Sequence, residues 1–391
     1  MIYLDSNATT QIDPAVVESM LPYLSGHWEN PSSPNRGGRL VRRALEAARE
    51  QLASLLNAKS SEVIFTSGGT EGCNSVIESA RTLLPHRMRL VVGATEHPAV
   101  MEPAMRWSRC EGELSVIPVD EEGRLNLEEL KSVLTLGDTA LVSIMWANNE
   151  TGVLAPMREI VETCHEFGAL IHSDAVQVCG KEQIDLKSVR LDFLTLSGHK
   201  FHAPKGVGVL FVSDRVRFNP FILGGGQEGG LRSGTENVAS IIGLGKAAEF
   251  SAQHLVGETH GMIAEMRDAF ERHILHHLPG TRAHGAAAPR LINTSNLYFP
   301  GVDSAGLLIL LDEKGIACSA GSACHSSALH PSATLKAMGV SREEAGSTLR
   351  FSFSRFNTLS ETLSAADQVC KLASKLRTLS DEDSGPVRMT A

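Results

Sequence analysis

Asp174 and Lys200 each stand at the end of a short apolar run. Ala169-Leu170-Ile171-His172-Ser173 leads into Asp174, and Phe193-Leu194-Thr195-Leu196 leads into Ser197-Gly198-His199-Lys200. A lysine at the edge of a desolvated pocket can lose its proton and form a Schiff base. A carboxylate on a neighbouring strand can hold a pyridinium nitrogen protonated. Singly, Asp174 reads as well as a helix cap, and Lys200 as a surface lysine. A third cluster changes the balance. Val63-Ile64-Phe65 leads into Thr66-Ser67-Gly68-Gly69-Thr70-Glu71. Glycines let backbone N–H groups approach a ligand, and a helix start favours an anion. This is no Walker motif, because no Gly-Lys-Ser/Thr follows. Alone it reads as a turn and a cap. A phosphate cup, an amine and a carboxylate together are what pyridoxal 5'-phosphate (PLP) chemistry requires, with the ring as electron sink.

Other residues fit around that centre. His97 follows Leu90-Val91-Val92 and Ala94-Thr95-Glu96; it can stack on a flat ring and exchange protons near neutrality, although a lone histidine is more often structural. His199, beside the lysine, can donate to a phosphate. In Leu349–Phe356 apolar and polar residues alternate as in a strand, with Arg350, Ser352 and Ser354 on one face. Arg350 there can grip a carboxylate with two hydrogen bonds, or form a surface ion pair. Cys324, with His325 beside it, sits in the small, polar segment from Ala317 to Ser327, which reads as an exposed loop. An exposed thiol is a hazard unless it is used. A metal site is the rival reading, but Cys318, Cys324 and His325 lack a second ligand pair. Gly224–Gly229 matches G-x-G-x-x-G, yet Gly230-Leu231-Arg232-Ser233-Gly234 keeps the chain in loop where a dinucleotide fingerprint must open into a helix. A loop carrying Arg232, Ser233 and Thr235 towards an anion or a second subunit fits better.

These clusters need a scaffold that brings strand ends together. Up to about residue 250, apolar runs alternate with amphipathic segments such as Val41–Leu56 and Met157–Phe167. That pattern predicts an α/β fold with a mostly parallel sheet and helices on both sides. Ligands of such sheets bind beyond the carboxyl ends of the strands, so five polar clusters converge on one crevice. After residue 257 a long helix, Glu258–His277, precedes three apolar runs (Leu291–Phe299, Leu307–Leu311, Leu349–Phe353), the pattern of a smaller α+β domain. The division expected is a large domain over 13–257, a small one from 1–12 and 258–378, and a flexible polar tail over 379–391. The chain of 391 residues carries a net charge of −9, which argues against direct nucleic-acid or anionic-membrane binding. It has no apolar run long enough for a membrane span and no signal peptide at its start. Seven scattered cysteines do not make a disulfide scaffold. A reducing, cytoplasmic setting fits.

Ten motifs in order carry a resemblance over residues 3 to about 358: Tyr3–Thr10, Asn30-Pro31-Ser32-Ser33, Phe65–Glu71, Thr95–Val100, Asn148–Gly152, Asp174-Ala175-Val176-Gln177, Ser197–Lys200, Arg232–Thr235, Gly321–Cys324 and Arg350–Phe353. The chain resembles the NifS/IscS-type cysteine desulfurases, class V enzymes of the fold-type-I PLP superfamily. The resemblance implies a seven-stranded sheet and a homodimer. It implies that Lys200 carries the cofactor, that Asp174 meets the ring nitrogen and Gln177 the ring hydroxyl, and that His97 stacks on the ring. Gly69, Thr70, Ser197 and His199 would hold the phosphate, with Thr235 reaching in from the partner subunit. Asn149 and Arg350 would hold the substrate carboxylate, and Cys324 would be the nucleophile. L-cysteine would become L-alanine, the sulfur passing as a Cys324 persulfide to an acceptor protein, for iron–sulfur cluster assembly or another thiolation. The short Gly-Ser-Ala-Cys segment resembles the group I type. Ser-Gly-Gly-Thr stands where Ser-Gly-Ala-Thr is usual, and Ala-Cys-His-Ser is similar to selenocysteine lyases. A selenocysteine lyase, another class V enzyme and a non-enzymatic sulfur carrier are the rival readings.

Overall fold

A computed structural model describes residues 1–110, 112–320 and 332–383. Its centre is a seven-stranded sheet in the spatial order Val63–Thr66, Gly208–Val212, Phe193–Ser197, Leu170–Asp174, Thr139–Ser143, Arg89–Gly93, Glu113–Ile117. All neighbours pair in parallel except Gly208–Val212, which runs against both of its partners. The strands from 63, 139, 193 and 208 are buried at every residue, as a sheet covered on both faces requires. Leu45, Leu52, Leu56, Val142, Ile171 and Leu244 belong to the core on one face; Cys73, Val76, Val100, Trp107, Leu141 and Phe193 to the core on the other.

The covering helices start where the sequence supplies a cap. Asn35 accepts from the Gly38 N–H at 2.8 Å to open the helix Arg36–Leu56, and Val41, Leu45, Ala48, Leu52 and Leu56 make its buried stripe. This helix begins five residues before the expected Val41. Gly37 and Gly38 lie inside it because a Cβ on Gly38 would sit 2.4 Å from the Ser33 carbonyl oxygen.

The second core is built from Leu4, Phe270, Phe299, Leu307, Leu311, Phe351, Phe353 and Val369. It lies with an antiparallel sheet ordered Ser319–Ala320, Thr348–Ser352, Thr294–Tyr298, Arg282–Ala283 and with the helices Glu258–His277 and Leu359–Asp383. The run Leu307–Leu311 is the inner part of a helix, Ser304–Glu313, capped by Asp303. The N-terminus joins this part: Ile2–Tyr3 pairs in parallel with Ile316–Ala317. The last helix runs over Leu359–Asp383, and the rest of the expected tail, 384–391, lies outside the described residues. Among the described residues no helix is long and apolar enough to cross a membrane.

Candidate active site

Five loops leave the carboxyl ends of parallel strands and meet at one cavity of about 310 Å³. Gly69, Thr70, His97, Asn149, Asp174, Gln177, Ser197, His199, Lys200 and Arg350 all line it, with Asn7, Ala8, Ala99, Met145, Ala147 and Val176. Ten of the twelve residues singled out in the sequence therefore share one chamber. Thr235 does not; in the single chain it lines another cavity with Ser67, Arg232 and Glu236. Cys324 lies outside the described residues. A larger cleft of about 630 Å³ sits elsewhere, between Arg42–Arg49 and Gly226–Gly229, but its Arg49 and Glu228 neutralise each other at 2.7 Å.

At one end of the chamber begins the helix Gly69–Leu83. Gly68 precedes it at φ 152°, a conformation open to glycine, and no side chain caps it. Its first N–H groups point an electropositive helix end at the cavity beside Ser197 and His199. His199 Nδ1 meets Thr9 Oγ1 at 3.1 Å. Burial, with Lys200, Lys205 and Lys181 nearby, pushes its pKa down to about 4, so it faces an anion as a neutral hydrogen-bonding group.

Asp174 closes its strand as a buried carboxylate. Burial pushes its pKa up, against the Val176 N–H at 2.9 Å and the charges of His97 and Lys200. A cation against that carboxylate would hold it ionised. Buried Glu96 behaves differently: desolvation raises it well above the ordinary range, one oxygen accepts from the Met145 N–H at 2.6 Å, and the other has no partner. Burial thus favours the neutral form of both carboxyls, and the charges of His97 and Lys200 oppose it only at Asp174. Cys73 Sγ lies 3.9 Å from Asp174, its thiol held protonated chiefly by burial. His97 has both roles weighed for it: Nδ1 caps the helix Pro98–Arg109 through the Ala99 N–H at 3.1 Å, and the ring lines the cavity.

Lys200 sits on a tight turn after its strand, and Nζ donates to the Asn7 and Ala8 carbonyls, each at 2.7 Å. Arg350 is not a surface ion pair. It is 2% exposed, held by Asp5 at 2.8 Å and by the Asn149 carbonyl at 3.0 Å. Its Nε is buried with no partner, a donor in reserve for a carboxylate. A phosphate-sized anion at the helix start, a ring nitrogen at Asp174, an aldehyde at Lys200 and a carboxylate at Arg350 thus fit the chamber's donors.

Sequence reading missed three groups. Asn7, 1% exposed, bonds to Lys200, Lys181, Gln177, Asn149, Asn293, Thr294 and Ser352. Its signal was the polar run Ser6–Thr10 beside an apolar start. Glu150, pushed up to about 7 chiefly by burial, accepts from Ser332 Oγ at 2.6 Å. Lys181 had no signal beyond its position after Val178-Cys179-Gly180. Cys318, expected near half burial, packs beside the small core, and burial together with Asp5 pushes its pKa up to about 12, so it is a closed thiol.

The class V aminotransferase family matches residues 2–363. The cysteine desulfurase NifS of Azotobacter vinelandii is 44% identical over 386 residues, spanning 98% of this chain and 95% of that one. A solved structure described as a NifS-like protein superposes with a TM-score of 0.88 at 33% identity, over 96% of this chain and 99% of the other. SspA, solved in complex with cysteine, gives a TM-score of 0.81 at 29% identity, over 92% and 100%. The chain belongs to the class V aminotransferases and, within them, to the NifS-like cysteine desulfurases, which are PLP-dependent enzymes.

Proposed function

We propose that this chain converts L-cysteine to L-alanine in a PLP site centred on Lys200, and that Cys324 takes the sulfur as a persulfide. The convergence of Lys200, Asp174, His97 and Arg350 on one cavity carries this reading. Bound there, the cofactor ring supplies a sink for the electron pair left at the substrate's Cα. Asp174 holds the ring nitrogen protonated, and Gln177 meets the ring hydroxyl. The helix start at Gly69 and Thr70, with Ser197 and His199, holds the phosphate. Arg350 and Asn149 fix the substrate carboxylate, so that the Cα–H bond faces Lys200, which receives the proton. The Cys324 thiolate then attacks the substrate sulfur. The Cβ–S bond breaks, its electron pair stays on carbon, Cβ takes a proton, and the sulfur remains on Cys324. Return of a proton to Cα gives alanine, so one cysteine and one enzyme thiol yield one alanine and one persulfide. An acceptor protein receives that sulfur. The enzyme works in the cytoplasm as a homodimer, with Thr235 lent across the interface.

Cys324→Ala tests the reading. It should load PLP with an unchanged visible band, form alanine from cysteine about 10³-fold more slowly, and show no cysteine-dependent gain of sulfur by peptide mass spectrometry. Full alanine formation in that variant would remove Cys324 from the reaction. Borohydride trapping that labels a lysine other than Lys200 would remove the whole assignment.

A further inference from the structure

Asp5 is a carboxylate that the reaction above does not use, and both of its oxygens are occupied. Oδ1 accepts from Arg350 Nη2 at 2.8 Å, and Oδ2 accepts from Ser319 Oγ at 2.7 Å. The backbone around it is fixed as well. The Leu4 carbonyl accepts from the Ser352 N–H at 2.7 Å, and the Ser6 N–H donates to the Ser352 carbonyl at 3.1 Å. Tyr3 Oη lies 3.1 Å from the Asp5 carbonyl. In the antiparallel sheet Ser319 stands opposite Arg350, so three distant parts of the chain meet on one guanidinium. Nη1 of that guanidinium donates to the Asn149 carbonyl at 3.0 Å, and Nε is buried without a partner. Neutralising a buried cation needs one carboxylate oxygen. The second oxygen, tied to Ser319, locks the plane of the carboxylate and with it the plane of the arginine.

We propose that Asp5 is a positioning residue for Arg350: it fixes the guanidinium before a ligand arrives, and so makes the site select amines that carry an α-carboxylate over amines that lack one. A guanidinium held at both terminal nitrogens cannot turn about its own axis. One of its N–H donors goes to Asp5 and one to the Asn149 carbonyl, and the rest stay available to a carboxylate in the chamber that Arg350 lines. A free arginine loses side-chain freedom when it grips a ligand, and one already fixed does not. Asp5 also has an opposing effect, because its negative charge competes with an incoming carboxylate for the same cation. The two effects differ in sign. Positioning means that loss of Asp5 weakens carboxylate ligands, whereas competition means that it tightens them. The spare donors favour positioning, since the ligand does not have to displace Asp5 to be held.

The proposal rests on Arg350 meeting the substrate carboxylate, and its test separates the two claims. The full-length PLP-loaded protein is titrated with L-alanine and with ethylamine, which is alanine without its carboxylate. Binding is read from the visible band of the bound cofactor. The ratio of the two dissociation constants reports the carboxylate alone, because a general distortion of the chamber weakens both ligands. Asp5→Ala should raise the alanine constant about tenfold or more and leave that of ethylamine within about twofold, so that the ratio falls towards that of Arg350→Gln. Asp5→Asn keeps an acceptor for Arg350 and can turn its N–H groups to Ser319, so its ratio should stay within about threefold of wild type. If Asp5→Ala does not fold, Ser319→Ala, which frees the second oxygen, replaces it and should move the ratio the same way by about threefold. An unchanged ratio or a tighter alanine in the folded variant overturns the proposal. So does an equal loss in Asp5→Asn, which would make charge the cause and not orientation. An unchanged ratio in Arg350→Gln overturns the Arg350 assignment instead.

Discussion

His172 lies two residues before Asp174, fully buried between two hydroxyls, with Nδ1 2.8 Å from Ser143 Oγ and Nε2 2.9 Å from Thr195 Oγ1. It bridges three adjacent strands under the chamber floor. Burial pushes its pKa down to about 3, so the folded protein holds it neutral while the unfolded chain protonates it near 6.5. The contribution is therefore complete above about pH 6.5 and is lost progressively as pH falls towards 3, because the unfolded state then binds the extra proton. Glu150 works the other way. Its folded value of about 7 lies above the ordinary carboxyl, so between about 4.5 and 7 it favours folding as pH falls. Replacing His172 isolates one term. The stability of wild type minus that of His172→Gln, from urea melts of cofactor-free protein, should shrink by about 1.4 kcal/mol per pH unit as pH falls from 6 to 4. A difference that stays flat with pH would mean that His172 is charged in the fold.

At the scale of elements, the phosphate end depends on how closely the helix Gly69–Leu83 lies on the strand Phe193–Ser197. A Cβ on Gly72 would sit 2.7 Å from Thr195 Cγ2 and 2.8 Å from its Oγ1. Thr195 cannot swing aside cheaply, because it is buried, branched at Cβ and bonded to His172. Gly72→Ala should lift the helix from the strand, cost about 1–3 kcal/mol in urea melts, and weaken PLP binding about tenfold or more in equilibrium titration. Full PLP affinity would mean that the helix start tolerates the shift. The sequence carried the helix as a signal, since Ser-Gly-Gly-Thr-Glu after an apolar run marks a strand, a turn and a helix start. It did not carry the contact, because which residue faces Gly72 is set by strands more than a hundred residues away. The same limit explains Gly37 and Gly38, which look like breakers locally and are spacers against Glu29 and Ser33 respectively. It also explains Asn7, whose partners come from residues 149, 177–181, 200, 293–294 and 352, and Lys181, which reaches back to Asn7. The strand-end clusters were legible because a parallel sheet delivers every such end to one edge, whatever the loops between them do.

At the scale of the molecule, one chain leaves the proposed site without Thr235. Arg232 anchors that loop to Glu71 at 2.9 Å, and Glu71 also accepts from the Ser67 N–H at 2.8 Å, so the loop is rooted behind the phosphate cup and does not enter it. Trp28 and Leu223 stand 77% and 78% exposed, next to the segments Pro31–Ser32 and Gly226–Gly229 that line the larger cleft. Apolar side chains left open in this way suit burial by a second copy. A homodimer that lends Thr235 across its interface makes a prediction that a single-chain site cannot. Lys200→Ala protein has no amine for the cofactor, and Thr235→Ala protein should bind PLP about tenfold more weakly for want of a phosphate donor. In a mixed dimer, the protomer that keeps Lys200 receives its threonine from the protomer that lacks Lys200, so one site per dimer is whole again. Dimers co-expressed with two different tags and purified through both should recover tight PLP binding and desulfurase activity at one site. The two parent proteins mixed without exchange should not. If the threonine served its own chain, no mixed dimer would contain an intact site, and activity at limiting PLP would stay at the level of Thr235→Ala.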